Sequence, residues 1–140
     1  MIRLAAIDHV VFRVRNMARM VAFYEDVLGA RVERRVDDIG LVQLRAGSAL
    51  VDLVDCAGSL GREGGLPPTG TGANVDHVCF RAEPWDEQAL LAHLAAHGCG
   101  DLQVGRRYGA QGFGPSIYIS DPEGNRIELK GPPETGCAEE

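Results

Sequence analysis

The sequence predicts an α+β protein of two tandem βαβββ modules, whose strands form a curved eight-stranded sheet around a cavity with the helices on the outside. Two observations support this prediction. The segment IDHVVFR (7–13) returns as VDHVCFR (75–81), with five of its seven positions identical. The same order of strand and helix patterns follows each copy. Because a repeat of this length cannot easily bury its apolar face alone, the two copies are expected to share a core.

The first module, residues 1–57, is defined by alternation and by turn residues. IDHVVFRV alternates as a strand, and Asn16 offers an N-cap for a helix whose apolar spacing stops at Gly29. Glycines at positions 40 and 47 then separate short strand patterns. These strands are predicted at 30–36, 41–45 and 49–54.

Residues 58–73 are rich in glycine and proline and are predicted to form a linker. The second module, 74–131, repeats the order of the first. Its strands are predicted at VDHVCFRA, 101–107, 115–120 and 125–130, with a helix from about Pro84 to His97. The segment GRRYGAQGFGPS (105–116) fits either a loop at the mouth of a cavity or a plain surface loop. The tail, 132–140, is expected to be loosely packed.

Composition argues against several classes of protein. The net charge of −6, without a basic stripe, disfavours a nucleic-acid partner. No apolar run is long enough to span a bilayer, which predicts no membrane partner, and the N-terminus lacks a secretory pattern. The four cysteines lack CxxC spacing and fit reduced thiols in a cytoplasmic protein; they are Cys56, Cys79, Cys99 and Cys137.

In each repeat, alternation puts the histidine on the strand face away from the helix. In the first copy the apolar residues at 10, 12 and 14 suit packing against a helix, which leaves His9 and Arg13 on the opposite, concave side. His77 occupies the matching position in the second copy. A pseudo-twofold relation between the modules would aim both imidazoles at one cavity.

The last strand of each module carries a carboxylate in register with the other. Aligning ALVDLVD with NRIELKG sets Asp52 against Glu128, each between apolar residues of the other parity. Two imidazoles and one or two carboxylates suit Fe(II), Mn(II), Co(II), Ni(II) or Zn(II). Each Asp-His pair could also be only a local hydrogen bond, and a lone strand histidine is commonly structural. Repetition of both residue types in register favours a shared metal site.

These residues resemble the vicinal oxygen chelate superfamily, which includes glyoxalase I, bleomycin- and fosfomycin-resistance proteins, methylmalonyl-CoA epimerase and extradiol dioxygenases. The resemblance covers nearly the whole chain, through IDHVVFRV, FYEDVLGARV, VDHVCFR and YISDPEGNRIEL, and is strongest to the small glyoxalase-like group. It implies one divalent metal ion (Ni, Co, Zn, Mn or Fe) held by His9, Asp52, His77 and Glu128. Relatives usually carry Glu or Gln at the second position, so the shorter Asp52 leaves both a four-ligand and a three-ligand site open.

The resemblance implies a metal-dependent enzyme, a lyase or isomerase acting through a metal-chelated enediolate, with Glu128 or Asp52 as the catalytic base. Two alternatives stay open: an Fe(II) ring-cleaving dioxygenase, and a metal-free drug-sequestering protein of the bleomycin-resistance type. The expected partners are a small-molecule substrate and a second copy of the chain. Relatives are commonly homodimers, and the site forms either within one chain or across the dimer.

Arg13 and Tyr118 are the candidate substrate-binding residues. Arg13 stands where glyoxalase I enzymes keep an arginine for glutathione, a candidate co-substrate here, but an asparagine of those enzymes is replaced by Cys56. Tyr118 and Ser116 stand where fosfomycin-resistance enzymes contact their substrate, although a threonine and a lysine of those enzymes are missing. A surface salt bridge for Arg13 and a core position for Tyr118 are equally consistent with the sequence.

Overall fold

The computed structural model describes residues 1–135 and confirms the predicted α+β class and the tandem βαβββ order. Two four-stranded sheets, each with one α-helix, contain the eight strands of the described residues. The chain divides into two compact units, Met1–Thr71 and a second unit that begins at Gly72. No helix in the described part of the chain is long and apolar enough to cross a membrane.

The elements of the two units correspond one to one. The first unit contains β1 (His9–Val14), α1 (Met17–Asp26), β2 (Arg31–Val36), β3 (Leu41–Ala46) and β4 (Ala49–Asp55), with 3₁₀ turns at Asp37–Ile39 and Gly61–Gly64. The second unit contains β5 (Val78–Arg81), α2 (Glu87–Ala96), β6 (Gln103–Gly109), β7 (Gly112–Ser120) and β8 (Arg126–Lys130).

The sheet order places the first strand of each module beside its last strand. The orders are β1-β4-β3-β2 and β5-β8-β7-β6. The β1–β4 and β5–β8 pairs are parallel, and the other neighbours are antiparallel. The strand that bears the histidine therefore lies directly against the strand that bears the carboxylate in both units.

Helix α1 fixes which face of the first sheet is covered. The Asn16 side chain accepts a hydrogen bond from the backbone N–H of Arg19 at 3.1 Å and so caps the helix. Beyond the helix, Gly29 takes φ 72°, the left-handed conformation that favours glycine. The rings of Phe12 and Tyr24 stack with centroids 6.1 Å apart. This contact shows that the Phe12 face packs on α1 and that His9, of the other parity, points away from the helix.

Helix α2 starts later than the sequence predicted. The predicted start near Pro84 is wrong, because Asp86 is the N-cap and its side chain accepts from the backbone N–H of Ala89 at 3.2 Å. The first helical residue is therefore Glu87. The helix buries Leu94 completely.

The segment 105–116 is not the predicted loop but most of a β-hairpin. Gly109 pairs with Gly112, which leaves a two-residue turn between β6 and β7. One step from the turn, the rings of Tyr108 and Phe113 pack edge to face with centroids 5.0 Å apart. This cross-strand aromatic pair stabilises the pairing of β6 with β7. The high glycine content of the segment had instead indicated a loop.

The described part of the predicted tail lies on β7. The backbone N–H of Glu134 donates to the Phe113 carbonyl at 2.8 Å, and its carboxylate accepts from Arg106 Nε at 2.8 Å. Residues 136–140, including Cys137, lie outside the described residues. The other three cysteines are free thiols.

We expect Asn16→Ala to lower the free energy of unfolding by about 1 kcal/mol, because it removes the side-chain acceptor that caps α1. Urea denaturation followed by circular dichroism measures the change. Asn74→Ala makes the same substitution at an exposed loop position and should leave the midpoint unchanged. Equal midpoints for the two variants would contradict the capping role.

Candidate functional site

In the second unit the structure brings two predicted ligands into contact. His77 directly precedes β5, and Glu128 lies in β8 opposite Cys79, so the two side chains are diagonal neighbours on one sheet face. His77 Nε2 lies 3.1 Å from Glu128 Oε1. Glu128 is only 6% exposed. A buried carboxylate with an imidazole nitrogen at this distance forms half of the predicted ligand set.

The predicted residue Tyr118 belongs to the same cluster. It lies in β7 opposite Glu128, and its hydroxyl is 3.5 Å from His77 Nε2, with the two rings perpendicular. Desolvation, followed by the Glu128 charge, raises the pKa of the Tyr118 phenol. The guanidinium groups of Arg107 and Arg126 lie 4.4 and 4.0 Å from its ring centroid. Tyr118 therefore stands beside the imidazole as a neutral hydroxyl.

Cys79 lies on the same strand face as this cluster. The residue is exposed and lies directly opposite Glu128 in the β5–β8 ladder. Desolvation and the neighbouring Glu128 charge raise the pKa of its thiol to about 11. The group is consequently a thiol at neutral pH, and a thiol is neither a good metal ligand nor a good nucleophile. Strand parity with His77 is the sequence signal for this placement.

In the first unit His9 and Asp52 occupy the corresponding positions. Asp52 lies opposite Val11 in the β1–β4 ladder, which puts it on the face of His9. The pKa of His9 is raised, chiefly by its hydrogen bond with Asp8 and next by the charge of Asp52. His9 and Asp52 therefore lie on the same face of the first sheet.

Asp52 has one partnered and one unpartnered oxygen. The residue is 5% exposed; its Oδ2 accepts from Gln43 Nε2 at 3.2 Å, and Gln43 Oε1 in turn accepts from Arg34 at 3.0 Å. Oδ1 is buried without a hydrogen-bond partner among the described residues. A buried carboxylate oxygen without a partner is costly, and a bound cation would satisfy it. The sequence did not single out Gln43, although the β3–β4 hairpin register pairs it with Asp52.

Both histidines are oriented by the aspartate that precedes them. His9 Nδ1 lies 2.7 Å from Asp8 Oδ1, and His77 Nδ1 lies 2.7 Å from Asp76 Oδ2. With Nδ1–H donating to the carboxylate, Nε2 carries the lone pair. Metal-binding histidines in proteins are usually held by such a second hydrogen bond. The local bond that the sequence offered as an alternative to metal binding therefore also prepares the ring for it.

Neither unit supplies a complete ligand set by itself. Across residues 1–135, no three His, Cys, Asp or Glu side chains gather as a metal site. Each unit holds one predicted imidazole ligand and one predicted carboxylate ligand, whereas most protein metal sites of this kind use three or four such ligands.

The predicted substrate-binding Arg13 is engaged by its own unit. Its guanidinium donates to the carbonyl oxygens of Gly61 at 3.1 Å and Leu66 at 3.2 Å, and to that of Gly65. A Cβ at Gly64 would lie 2.6 Å from the Arg13 Cζ, so the chain passes closely over the guanidinium. Three N–H donors of Arg13, which the sequence assigned to a substrate carboxylate, therefore bind backbone carbonyls within the predicted linker.

Comparison with known proteins agrees with this architecture. A sequence profile of the Glyoxalase/Bleomycin resistance protein/Dioxygenase superfamily matches residues 6–129. A virulence protein from Salmonella typhimurium is 25% identical, with a TM-score of 0.74 over 93% of this chain and 98% of that one. A protein from the mobile metagenome of V. pseudocholerae is 24% identical, with a TM-score of 0.76 over 96% and 99%. Lactoylglutathione lyase from Agrobacterium tumefaciens is 24% identical, with a TM-score of 0.63 over 92% and 95%.

The repeated fold and the match along residues 6–129 define the class of protein. The chain belongs to the Glyoxalase/Bleomycin resistance protein/Dioxygenase superfamily.

We expect Arg13→Gln to speed tryptic cleavage after Arg62 by about tenfold, because three hydrogen bonds to residues 61–66 are lost. Mass spectrometry of timed digests measures the initial rate at this bond. Arg35→Gln, at an exposed position of β2, removes the same charge and should leave the rate unchanged. An unchanged rate in Arg13→Gln would show that these bonds do not hold the segment.

Proposed function

We propose that this chain is a divalent-metal-dependent enzyme of the glyoxalase type, a lyase or isomerase acting on a small molecule. His9, Asp52, His77 and Glu128 are the proposed ligands of one ion of nickel, cobalt, zinc, manganese or iron. The observation that supports the proposal most is the repeated pair: each unit sets one oriented imidazole and one buried carboxylate on the same face of its sheet.

The atoms within each pair fit a bound cation. His77 Nε2 carries a lone pair when Nδ1–H donates to Asp76, so it and the negatively charged Glu128 Oε1 would repel each other at 3.1 Å. A positive charge shared between them, from a proton or a metal ion, removes this repulsion. In the first unit, a bound cation would likewise satisfy Oδ1 of Asp52, which has no hydrogen-bond partner among the described residues. Imidazole nitrogens and carboxylate oxygens together suit the proposed metals.

When bound, the metal ion supplies a Lewis acid that polarises a substrate oxygen. The protein's own groups then move the proton. Glu128 is the proposed base, taking a proton from the carbon next to a carbonyl group and returning it to the adjacent carbon, and Asp52 is the alternative base. The neutral Tyr118 hydroxyl, 3.5 Å from His77 Nε2, is placed to donate a hydrogen bond to a substrate oxygen.

Partners and location remain part of the proposal. Glutathione is the proposed co-substrate, which requires the Arg13 guanidinium either to leave the carbonyls of 61–66 or to bind through its remaining N–H groups. A cytoplasmic homodimer is the proposed assembly, with the four ligands coming either from one chain or from two.

Elemental analysis of the purified protein is expected to find one divalent metal ion per chain. His9→Ala and His77→Ala should each weaken metal affinity about 100-fold or more, because removing a ligand costs at least as much as removing its supporting partner. His93→Ala, on helix α2, is the matched control and should keep the metal. A metal content that is equal in all four proteins would contradict the assignment of both histidines.

The metal-loaded protein is expected to turn over the adduct of methylglyoxal with glutathione. Glu128→Gln should lower kcat by about 10²- to 10⁴-fold, since the amide cannot accept the proton. Glu25→Gln, at an exposed position of α1, is the control. Oxygen consumption with a catechol, in place of this turnover, would instead indicate the Fe(II) ring-cleaving dioxygenase, for which three ligands suffice.

A metal-free, drug-sequestering protein is the second candidate function. The observation that favours it is that, within the described residues, no three His, Cys, Asp or Glu side chains lie close enough together to hold a metal ion. Metal-free protein that still binds a hydrophobic or cationic drug would support this function and overturn the metal-dependent enzyme.

A further inference from the structure

Strand β2 contains a β-bulge that decides which side chain stands opposite Gln43. Val32 pairs with Leu44 on β3. If the ladder continued without a shift, Glu33 would come opposite Gln43. The register instead shifts between Val32 and Arg34, and Arg34 takes that position. Bulges re-aim a side chain at one point of a sheet, and this one exchanges an acidic residue for a basic one.

This exchange fixes the orientation of the Gln43 amide. Arg34 Nη1 donates to Gln43 Oε1 at 3.0 Å. A guanidinium has donors only, so the atom that faces it must be the carbonyl oxygen of the amide. The NH2 group is thereby turned to Asp52, whose Oδ2 accepts from Gln43 Nε2 at 3.2 Å. A glutamate opposite Gln43 would have the reverse effect, because it would accept from the NH2 group and leave the carbonyl oxygen facing Asp52.

The carboxylate nearest to Arg34 in the sequence does not compete for its guanidinium. Glu33 binds Arg45 with both carboxylate oxygens, at 3.0 Å from Nε and 2.9 Å from Nη2. Such a two-point pair between arginine and a carboxylate is both strong and geometrically specific. The Arg34 guanidinium is consequently left to the amide of Gln43.

The amide gives Asp52 a hydrogen bond without bringing a cation to it. A direct arginine–carboxylate pair would neutralise Asp52 and compete with a bound metal ion. Here Oδ2 accepts from a neutral group, and the guanidinium lies one amide further away. Oδ1 is buried and has no hydrogen-bond partner among the described residues. The two oxygens of Asp52 therefore differ, and only Oδ1 is left for a cation.

We propose that Gln43 and Arg34 are positioning residues that make Asp52 a one-oxygen ligand, with Oδ2 held by Gln43 and Oδ1 directed to the metal ion. The part played by the metal ion rests on the proposed function, whereas the hydrogen-bonded chain from β2 to β4 does not. A one-oxygen carboxylate suits the small transition-metal ions. The high oxygen coordination number of Ca²⁺, by contrast, is often reached with both oxygens of one carboxylate.

Titration of the metal-free chain with Co²⁺, followed by calorimetry, tests Gln43. Gln43→Leu should weaken Co²⁺ binding about tenfold or more, because loss of a group that supports a ligand commonly has an effect of this size. Gln43→Lys keeps a donor but should weaken binding further, since its ammonium group would pair with the Asp52 carboxylate and repel the ion. A Gln43→Lys variant that binds Co²⁺ as the parent chain does would overturn the proposal.

Arg34 requires a matched control, because loss of an arginine charge by itself favours cation binding. Arg35→Met removes the same charge at the next position, which pairs with Val42 and has its side chain on the other face. Arg34→Met should bind Co²⁺ about threefold or more weaker than Arg35→Met, and Arg34→Lys, which restores a donor to Gln43, should bind as the parent chain does. Equal affinity in the two methionine variants would overturn the proposal. Arg34 is exposed, so its variants serve as the test even if Gln43→Leu does not fold.

A second measurement needs no metal. In ¹⁵N-labelled protein the side-chain amide of Gln43 gives two proton resonances, which are assigned from their loss in Gln43→Leu. Rotation about the amide C–N bond exchanges these two protons. This exchange should be several-fold faster in Arg34→Met than in Arg35→Met, because a hydrogen bond to the carbonyl oxygen strengthens the double-bond character that slows rotation. Equal rates would show that Arg34 does not hold the amide.

The two measurements separate this proposal from the proposed function. A parent chain that does not bind Co²⁺ would overturn the proposed function and the assignment of Oδ1 as a ligand atom, and the exchange rates would still decide whether Arg34 positions Gln43. Equal Co²⁺ binding in the parent chain and in all of these variants would keep the proposed function and overturn both positioning residues.

Discussion

Parallel pairing between the first and last strand of each module is the interaction on which the rest of the structure depends. It sets the histidine strand beside the carboxylate strand, so that residues two positions apart in the ladder meet on one face. In the second unit this produces the 3.1 Å contact between His77 and Glu128. A slip of one residue in either ladder would turn one partner to the opposite face. Packing of Phe12 on Tyr24 opposes such a slip in the first unit, because it fixes which residues face the helix.

The two units use equivalent positions differently. Gln43 and Tyr118 both lie opposite the carboxylate of their unit. Gln43 donates to Asp52, whereas the Tyr118 hydroxyl lies 3.5 Å from the imidazole of His77 and also interacts with Glu128. The Asp52 side chain is one methylene shorter than that of Glu128, and Gln43 donates a hydrogen bond to one of its oxygens. Asp52 can therefore move less than Glu128 toward a bound group. The repeated module therefore carries two carboxylates with different surroundings, of which Glu128 is the proposed base.

Local pattern was sufficient for the fold class and for the faces of the strands, because repetition and alternation are properties of short segments. It was not sufficient where a single side-chain contact decides the outcome, or where several strands meet. The glycine-rich segment 105–116 forms a hairpin because Tyr108 and Phe113 meet across it, and Asp86 rather than Pro84 determines where α2 begins. Burial of Lys130 over the hairpin glycines depends on β6, β7 and β8 together, and no short segment of the sequence shows that these three strands pair.

The arginines at equivalent positions 13 and 81 have different partners in the two units. Arg13 gives three donors to backbone carbonyls, and Arg81 is taken by Gln111 and Glu83. A substrate anion would therefore meet competition at either residue from a partner already in place. Both arginines therefore serve contacts within their own unit, and recognition of a substrate anion at either position would require one of those contacts to break.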